Sequence, residues 1–471
     1  MSYKIVAKQP SILWSDINEI NDRIDAKYYH CDYMVFNIKN YGEFEIKSLK
    51  QCVNFFETGV SNFNDGNIKL KRLKTSNIQN GFILYQDLTD CVVPERDKKK
   101  ILCKGDVVLT TYGTGSIGKV AYVNFDTQII PDYTIAILRT KKTIDSGYLA
   151  SFLGSIYGKQ QIMRRVIGTS GITLVIKPHL IDIQIPIPSP EIQKYIGDKV
   201  RKAEELREEA KRLKIEAEEI FFNEINIVSI DNAFKKEQHI KFNWINIDEL
   251  DVNRIDAEYN RRKYTILVKL LIDNNITLIP ISNLLEEPIV SGSTPKGGNY
   301  IENGIPFVRA TNLCEYSIDD NLVYISKEES DKLKNSEIRS GDVVFSIAGS
   351  IGVASIIPSY IEKANINQAL VRLRLNNINK YYFVFVVNSS IGRLLSLRLA
   401  NGAVQLNLNR EEVGNIMVPR INDNKEEIIA NKIKLYIELL YQSKQLIQEA
   451  KQDVEDLIEG NFDMSKVKAN N

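Results

Sequence analysis

GDVVLTTYGTGSIGKV, residues 105 to 120, has a counterpart in GDVVFSIAGSIGVAS, residues 341 to 355. Both begin Gly-Asp-Val-Val and both continue to Gly-Ser-Ile-Gly, the first with two extra residues between. Working outward, WSDINEINDRIDAKY (14 to 28) returns as WINIDELDVNRIDAEY (244 to 259), and TSNI (75 to 78) as ATNL (310 to 313). The GDVV copies lie 341 − 105 = 236 positions apart in a chain of 471 residues. A period of half the chain is far too long for a solenoid repeat and marks a duplicated unit of domain size.

Within each copy, runs rich in Ile, Val, Tyr and Thr are broken by Gly, Asn, Asp and Pro, the pattern of short strands joined by turns. GDVV opens a strand, GSIG turns the chain, and KVAYV or VASII leads it back, which predicts a β-hairpin in each half. Gly113, Gly118 and Lys119 also fit the spacing of a phosphate-binding loop, but the hydroxyl position is Val120. The second copy replaces the lysine with Val353, and neither loop is followed by the long helix a phosphate cradle needs behind it. Gly115, Gly118, Gly349 and Gly352 are therefore expected as structural turn residues, with a P-loop-like NTPase kept as an alternative.

Each half ends at a proline-bounded segment, IPIPSPEIQ (185 to 193) and VPRINDNKEE (418 to 427). Beyond the first, Ile196, Val200, Ala203, Leu206, Ala210, Leu213, Ala217 and Ile220 are spaced by threes and fours. Beyond the second, Ile429, Ile433, Tyr436, Leu440, Ser443, Ile447, Ala450, Val454 and Leu457 alternate the two spacings throughout. This is close to the 3.5-residue period of a coiled-coil seam. At 1.5 Å per residue the tracts predict rods of roughly 48 and 53 Å. Apolar stripes of that length need partners, and two matched rods in one chain suit each other. The alternative is that each rod packs on its own globular domain.

Hydrophobic content of 44% and charged content of 26% are those of an ordinary globular protein. No run of eighteen apolar residues and no signal-peptide core occurs, so a cytoplasmic protein without membrane contact is expected. Five scattered cysteines with no C-x-x-C pair predict free thiols. The three histidines lie far apart in sequence, so no metal site is expected, although His30 beside Cys31 could supply two ligands. The net charge of +1 is uninformative, yet basic groups cluster as KLKRLK (69 to 74), RDKKK (96 to 100) and RRK (261 to 263). Such patches can bind phosphate through one face or serve as solvated surface.

The ordered set SGSTPKGGNYIENGIPFVRATNL (291 to 313), GDVVFSIAGSIGVA (341 to 354), NINQALVRLRL (365 to 375), NGAVQLNL (401 to 408) and a heptad helix resembles the specificity subunit of Type I restriction-modification systems. The likeness covers nearly the whole chain. It implies an α+β fold in which two similar mixed α/β target-recognition domains are separated by two long helices packed as an antiparallel coiled coil, with a pseudo-twofold internal repeat. The expected bounds are 1–188 for the first recognition domain, 189–235 for the first spacer helix, 236–421 for the second domain, and 422–471 for the second helix and a polar tail. The first half departs from the family pattern, with TGVSNF (58 to 63) in place of Gly-Ser-Thr-Pro and Pro131-Asp132 in place of Asn367-Gln368.

The resemblance implies a non-catalytic reader of a split, asymmetric sequence in double-stranded DNA. It would direct partner DNA methyltransferase subunits, and restriction or translocase subunits, to that site in phage defence. S-adenosylmethionine, ATP and magnesium would belong to those partners, with no cofactor in this chain. The sequence carries no N-P-P-Y or D-P-P-Y run and no F-x-G-x-G signature, and its E-x-K at Glu45-Ile46-Lys47 lacks a convincing preceding Pro-Asp. DNA contacts are expected from Lys69, Lys71, Arg72, Lys74 and Asn77 in the first half, and from Ser293, Thr294, Lys296, Arg309 and Asn312 in the second. Arginine can fork onto guanine and asparagine onto adenine, while the two matched asparagines equally suit a turn. A reader in a Type II-like restriction-modification enzyme, an NTPase or nuclease, and a helical adaptor for proteins are the competing functions.

Overall fold

The computed structural model describes residues 28, 44–86, 88–168, 173–237, 247, 254–295, 297–319, 321–402 and 406–468. The chain divides into two compact units, one of Tyr3–Glu208 with Leu439–Asn471 and the other formed essentially by Glu209–Glu438. We call them the first and second units.

In the first unit, strands β1 (Glu45–Ser48), β2 (Val53–Thr58), β3 (Ile68–Leu73), β4 (Thr89–Val93), β5 (Asp106–Thr110), β6 (Val120–Tyr122), β7 (Ile129–Pro131), β8 (Ile135–Thr140) and β9 (Gln184–Ile187) form three sheets. An antiparallel sheet has the order β2-β8-β5-β6, a mixed sheet has β4-β3-β7 with β3 and β7 parallel, and β1 pairs with β9. Helices α1 (Ser146–Gly154) and α2 (Ile156–Arg164) pack on the antiparallel sheet, and α3 (Pro190–Glu224) begins in this unit.

The second unit holds α4 (Ile227–Glu237), α5 (Arg262–Asp273), β10 (Thr277–Pro280), β11 (Val290–Ser291), β12 (Ile305–Val308), β13 (Val323–Ile325), β14 (Glu337–Arg339), β15 (Val343–Ser346), β16 (Ala354–Ile356), β17 (Lys363–Ile366) and β18 (Leu370–Leu373). Helices α6 (Lys380–Asn388) and α7 (Ser390–Leu399), strand β19 (Met417–Arg420) and the start of α8 (Asp423–Glu459) complete it. Its sheets run β11-β18-β15-β16, β13-β12-β17-β14 and β10-β19. Apart from the added β14, this is the strand order of the first unit, so the sequence repeat is also a repeat of topology.

Matched side chains hold matched places. Tyr148 donates its hydroxyl to Pro186 O at 2.6 Å, and Tyr382 to Pro419 O at 2.9 Å. Ser155 accepts the Gly158 N–H to start α2, as Ser389 accepts the Gly392 N–H to start α7. A hydroxyl at the N-cap takes one of the amides that the first turn leaves unpaired. Gly59 and Gly292 end β2 and β11 where a Cβ would stand 2.1 Å from Pro131 O or Asn367 O, so only glycine lets the backbones meet there.

Both long helices are antiparallel partners within each unit. In the first, Ile196, Val200 and Ala203 of α3 share a buried cluster with Ile447, Ala450, Val454 and Leu457 of α8. Lys199 binds Asp453 at 2.6 Å and Glu449 at 3.1 Å, while Tyr195, one turn earlier, meets Phe462, beyond the helix end. In the second, Ala217 and Phe221 pack with Ile429 and Ile433, and Glu216 and Glu224 pair with Lys432 and Lys425. The expected seam residue Ile220 is only partly buried, and Phe221 is fully enclosed instead. The 3.6-residue turn drifts against a strict heptad, and the bulky ring fills the core that α6 presents.

The first rod stops at Glu224. Asn226 adopts φ +54°, a left-handed conformation that asparagine tolerates better than most residues, and α4 starts anew at Ile227. Ile230 of α4 then joins Leu267 and Leu271 in the core of the second unit. Residues 227–235, which the expected bounds placed in the first spacer helix, lie in this separate helix.

One carboxylate inside the first unit has no strong partner. Glu204 of α3 is 1% exposed, its Oε1 lacks a hydrogen bond among the described residues, and the Arg207 Nε stands 3.9 Å away. The Arg207 guanidinium lies 3.4 Å over the Phe82 ring. Burial pushes the Glu204 carboxyl up to about 7, against the pull of Arg207.

Candidate nucleic-acid interface

The glycine loops are hairpin turns. Gly115 and Gly118 have φ of +80° and +83°, and Gly349 and Gly352 have +74° and +82°. The Gly118 N–H donates to Thr110 O at 3.0 Å and the Lys119 N–H to Thr110 Oγ1 at 3.0 Å. In the second unit the Gly352 N–H donates to Ser346 O and the Val353 N–H to Ser346 Oγ, both at 3.0 Å. These amides are spent on the preceding strand, and a strand follows each turn in place of a helix. A phosphate cradle needs free amides at a helix N-terminus, so the NTPase alternative has no structural support.

The basic run before Asn77 lies on β3 and in the turn after it. Lys69 and Lys71 point to solvent, with Lys71 paired to the exposed Asp90 at 2.8 Å. Arg72 is held, its guanidinium 4.3 Å over the Phe63 ring and 3.2 Å from the buried Asp132. Lys74 caps a single 3₁₀ turn, Thr75–Asn77, and the Asn77 Oδ1 accepts the Lys74 N–H at 2.9 Å.

The second unit repeats this turn with other side chains. Arg309 caps Ala310–Asn312, and the Asn312 Oδ1 accepts the Arg309 N–H at 3.1 Å while its Nδ2 donates to Asn321 O at 2.9 Å. Asn77 and Asn312 are each 3% exposed, so both amides serve the turn. Ser293 and Thr294 are exposed after β11, and Thr294 bonds Gln368. Lys296 lies outside the described residues, as do His30 and Cys31.

Topology corrects the alignment of the two halves by one residue. The Asp132 N–H donates to Leu73 O and the Asn367 N–H to Val308 O, so Asp132 matches Asn367 and Tyr133 matches Gln368. Tyr133 is 45% exposed and packs edge-on against Tyr112 at 5.4 Å. Tyr133 escaped the sequence reading, which set Pro131-Asp132 against Asn367-Gln368 and so stopped one residue short. Arg72 is opposite Ile130 across the parallel ladder, a pairing no local pattern signals. Lys74 and Arg309 share a place, as do Asp132 and Asn367, so one scaffold carries different chemistry at the same loops.

Among the described residues, no group of three or more His, Cys, Asp or Glu side chains is placed to hold a metal ion. Glu45 and Lys47, the E-x-K pair, bind each other at 3.0 Å on β1. No helix among the described residues is long and apolar enough to cross a membrane.

Residues 53–219 match the family described as Type I restriction modification DNA specificity domain. In structure the chain is similar to the S subunit of a Type-I restriction-modification system from M. genitalium, at 14% identity over 90% of this chain and 97% of that one, with a TM-score of 0.42. It is similar to the HsdS subunit from Thermoanaerobacter tengcongensis at 14% identity over 89% and 98%, with a TM-score of 0.29. The type IIG restriction endonuclease BpuSI is similar over 44% of this chain and 34% of its own, at 11% identity and a TM-score of 0.29. No curated protein matches the sequence.

Proposed function

We infer that this chain, of which residues 53–219 match the Type I restriction modification DNA specificity domain, is a non-catalytic DNA-recognition subunit of such a system, and that its two units read the two halves of a split, asymmetric target. The observation that supports this is the repeated scaffold with unlike side chains at equivalent loop positions: Lys74 against Arg309, Asp132 against Asn367, Tyr133 against Gln368. A common fold would present each unit to the duplex in the same manner. Different side chains would then select different bases.

In this reading Lys69 and Lys71 contact phosphate, Ser293, Thr294 and Arg309 line the reading edge of the second unit, and Lys296 is a further DNA contact. Arg72, Asn77 and Asn312 shape those edges from within. The 35 residues of α3 make a rod of about 52 Å, roughly fifteen base-pair steps and more than one turn of duplex, which leaves room for an unread gap. Methylation requires a base flipped into a pocket with S-adenosylmethionine, so that step falls to partner methyltransferase subunits. ATP and magnesium would serve restriction or translocase partners, and the assembly would work in the cytoplasm.

The test is to map methylated sites in cells with and without this chain. One split motif should vanish when it is removed. A methylation pattern that does not change would refute the reading.

A further inference from the structure

Between β2 and β3 the chain passes through residues 59–67, and after β4 it forms a short 3₁₀ helix, Glu95–Lys100. These two segments wall a cavity of about 220 Å³ in the first unit. Most of the charge in the second segment is already engaged. Lys98 reaches Glu95 at 2.9 Å, Lys99 reaches Glu57 at 2.6 Å, and Lys100 reaches Asp97 at 3.3 Å and Gly59 O at 3.1 Å.

Arg96 differs from its three neighbours. Its side chain is 78% exposed, its ionic contact is Asp97 at the 4.0 Å limit, and it makes no hydrogen bond among the described residues. Asp65, exposed on the other segment of the cavity wall, has no ionic or hydrogen-bonding partner among them either. The wall that carries Asp65 is anchored, since Gly59 is fixed by close backbone contact and the Asn62 Oδ1 accepts the Asn64 N–H at 3.1 Å.

The cavity therefore presents one open guanidinium fork and one open carboxylate. A phosphate would satisfy Arg96 and be repelled by Asp65. The major-groove edge of a G·C pair offers both complements: O6 and N7 of guanine accept from arginine, and the N4 amino group of cytosine donates to a carboxylate. The cavity also lies on TGVSNF, a stretch where the two halves of the chain diverge.

We propose that Arg96 and Asp65 read one G·C base pair in the half-site bound by the first unit. This rests on the DNA-recognition reading above and adds a residue-level assignment to it. Both side chains are exposed and neither makes a hydrogen bond among the described residues, so their removal leaves the scaffold intact, which a thermal melt verifies.

The experiment uses the assembled complex with its methyltransferase partner, combining methylation mapping in cells with binding to duplexes that vary one position at a time. In Arg96→Ala the split motif, its gap and its other half persist, while one G·C position relaxes and discrimination there falls roughly tenfold to a hundredfold. Asp65→Ala relaxes the same pair, and Arg96→Lys does not restore it, because an ammonium cannot fork. An unaltered motif in Arg96→Ala overturns the assignment. So does uniform weakening at every site that Arg96→Lys rescues, since that marks a phosphate contact. Absence of any split motif with the natural chain is a different result, and sinks the function proposed above.

Discussion

Arg139 donates from Nε to Asp106 Oδ1 at 2.8 Å, and Arg374 donates in the same way to Asp342 at 2.9 Å. The second oxygen of each aspartate accepts a turn amide, from Cys103 at 3.0 Å and from Arg339 at 2.9 Å. The Asp of GDVV is thus a buried lock between neighbouring strands in both units. Leaving an arginine without its buried partner is costly, so Asp106→Ala should lower stability by about 3 kcal/mol. Denaturant unfolding measures this, and limited proteolysis should show the new cleavage sites within residues 44–168. Wild-type resistance in the variant would contradict the lock.

Glu204 makes stability depend on pH. Its carboxyl titrates near 7 in the folded chain, against an ordinary value of 4.5, so the folded state holds the proton more tightly than the unfolded one. The sign follows: the contribution of Glu204 to stability is fully present below about pH 4.5, where both states are protonated, and is lost as pH rises through 7. Glu204→Gln removes a buried charge and should flatten this decline, raising the melting temperature at pH 8 by several degrees with little change at pH 5. Equal shifts at the two pH values would show that the carboxyl does not titrate there.

The helices should set the unread gap. Seven residues inserted into α3 after Glu208, with seven inserted into α8 after Glu438, preserve the seam and lengthen each rod by about 10.5 Å. The spacing between half-sites should then grow by about three base pairs, with the half-sites themselves unaltered. Methylation mapping reads both quantities, and an unchanged gap would separate target spacing from helix length.

Surface lysines and buried asparagines should fail differently. Lys69→Ala and Lys71→Ala should weaken binding alike at all sequences and reduce the salt dependence by about one unit each. Asn77→Ala should instead destabilise the turn by about 1–2 kcal/mol, because the Lys74 amide loses its acceptor. A change of base preference in Asn77→Ala, without loss of stability, would assign that amide to DNA.

The repeat, the hairpins at GDVV–GSIG and the paired rods were legible because each rests on short-range pattern: glycine spacing, alternation and heptad period. The surface positions were legible only in part. Lys69 and Lys71 sit on a strand where alternation exposes them, but Arg72 is held by Asp132, sixty residues on, and by a ring at Phe63. Burial of Asn77 and Asn312 follows from the 3₁₀ turns they close, which a four-residue match cannot distinguish from a base contact. The end of α3 depends on a single left-handed asparagine, and the equivalence of Asp132 with Asn367 on a parallel ladder between distant strands. Such long-range pairings leave no periodic trace.

The core of the first unit contains Ile447, Ala450, Val454 and Leu457. On a ribosome adding about 5–20 residues per second, these side chains emerge roughly 10 to 50 s after Glu208 has been made. The earlier-translated unit must therefore wait, with the apolar stripe of α3 uncovered, for the strand of chain that completes it. A nascent polypeptide built this way calls for a chaperone during that interval, and a premature stop before residue 439 would harm the half of the molecule that was synthesised first.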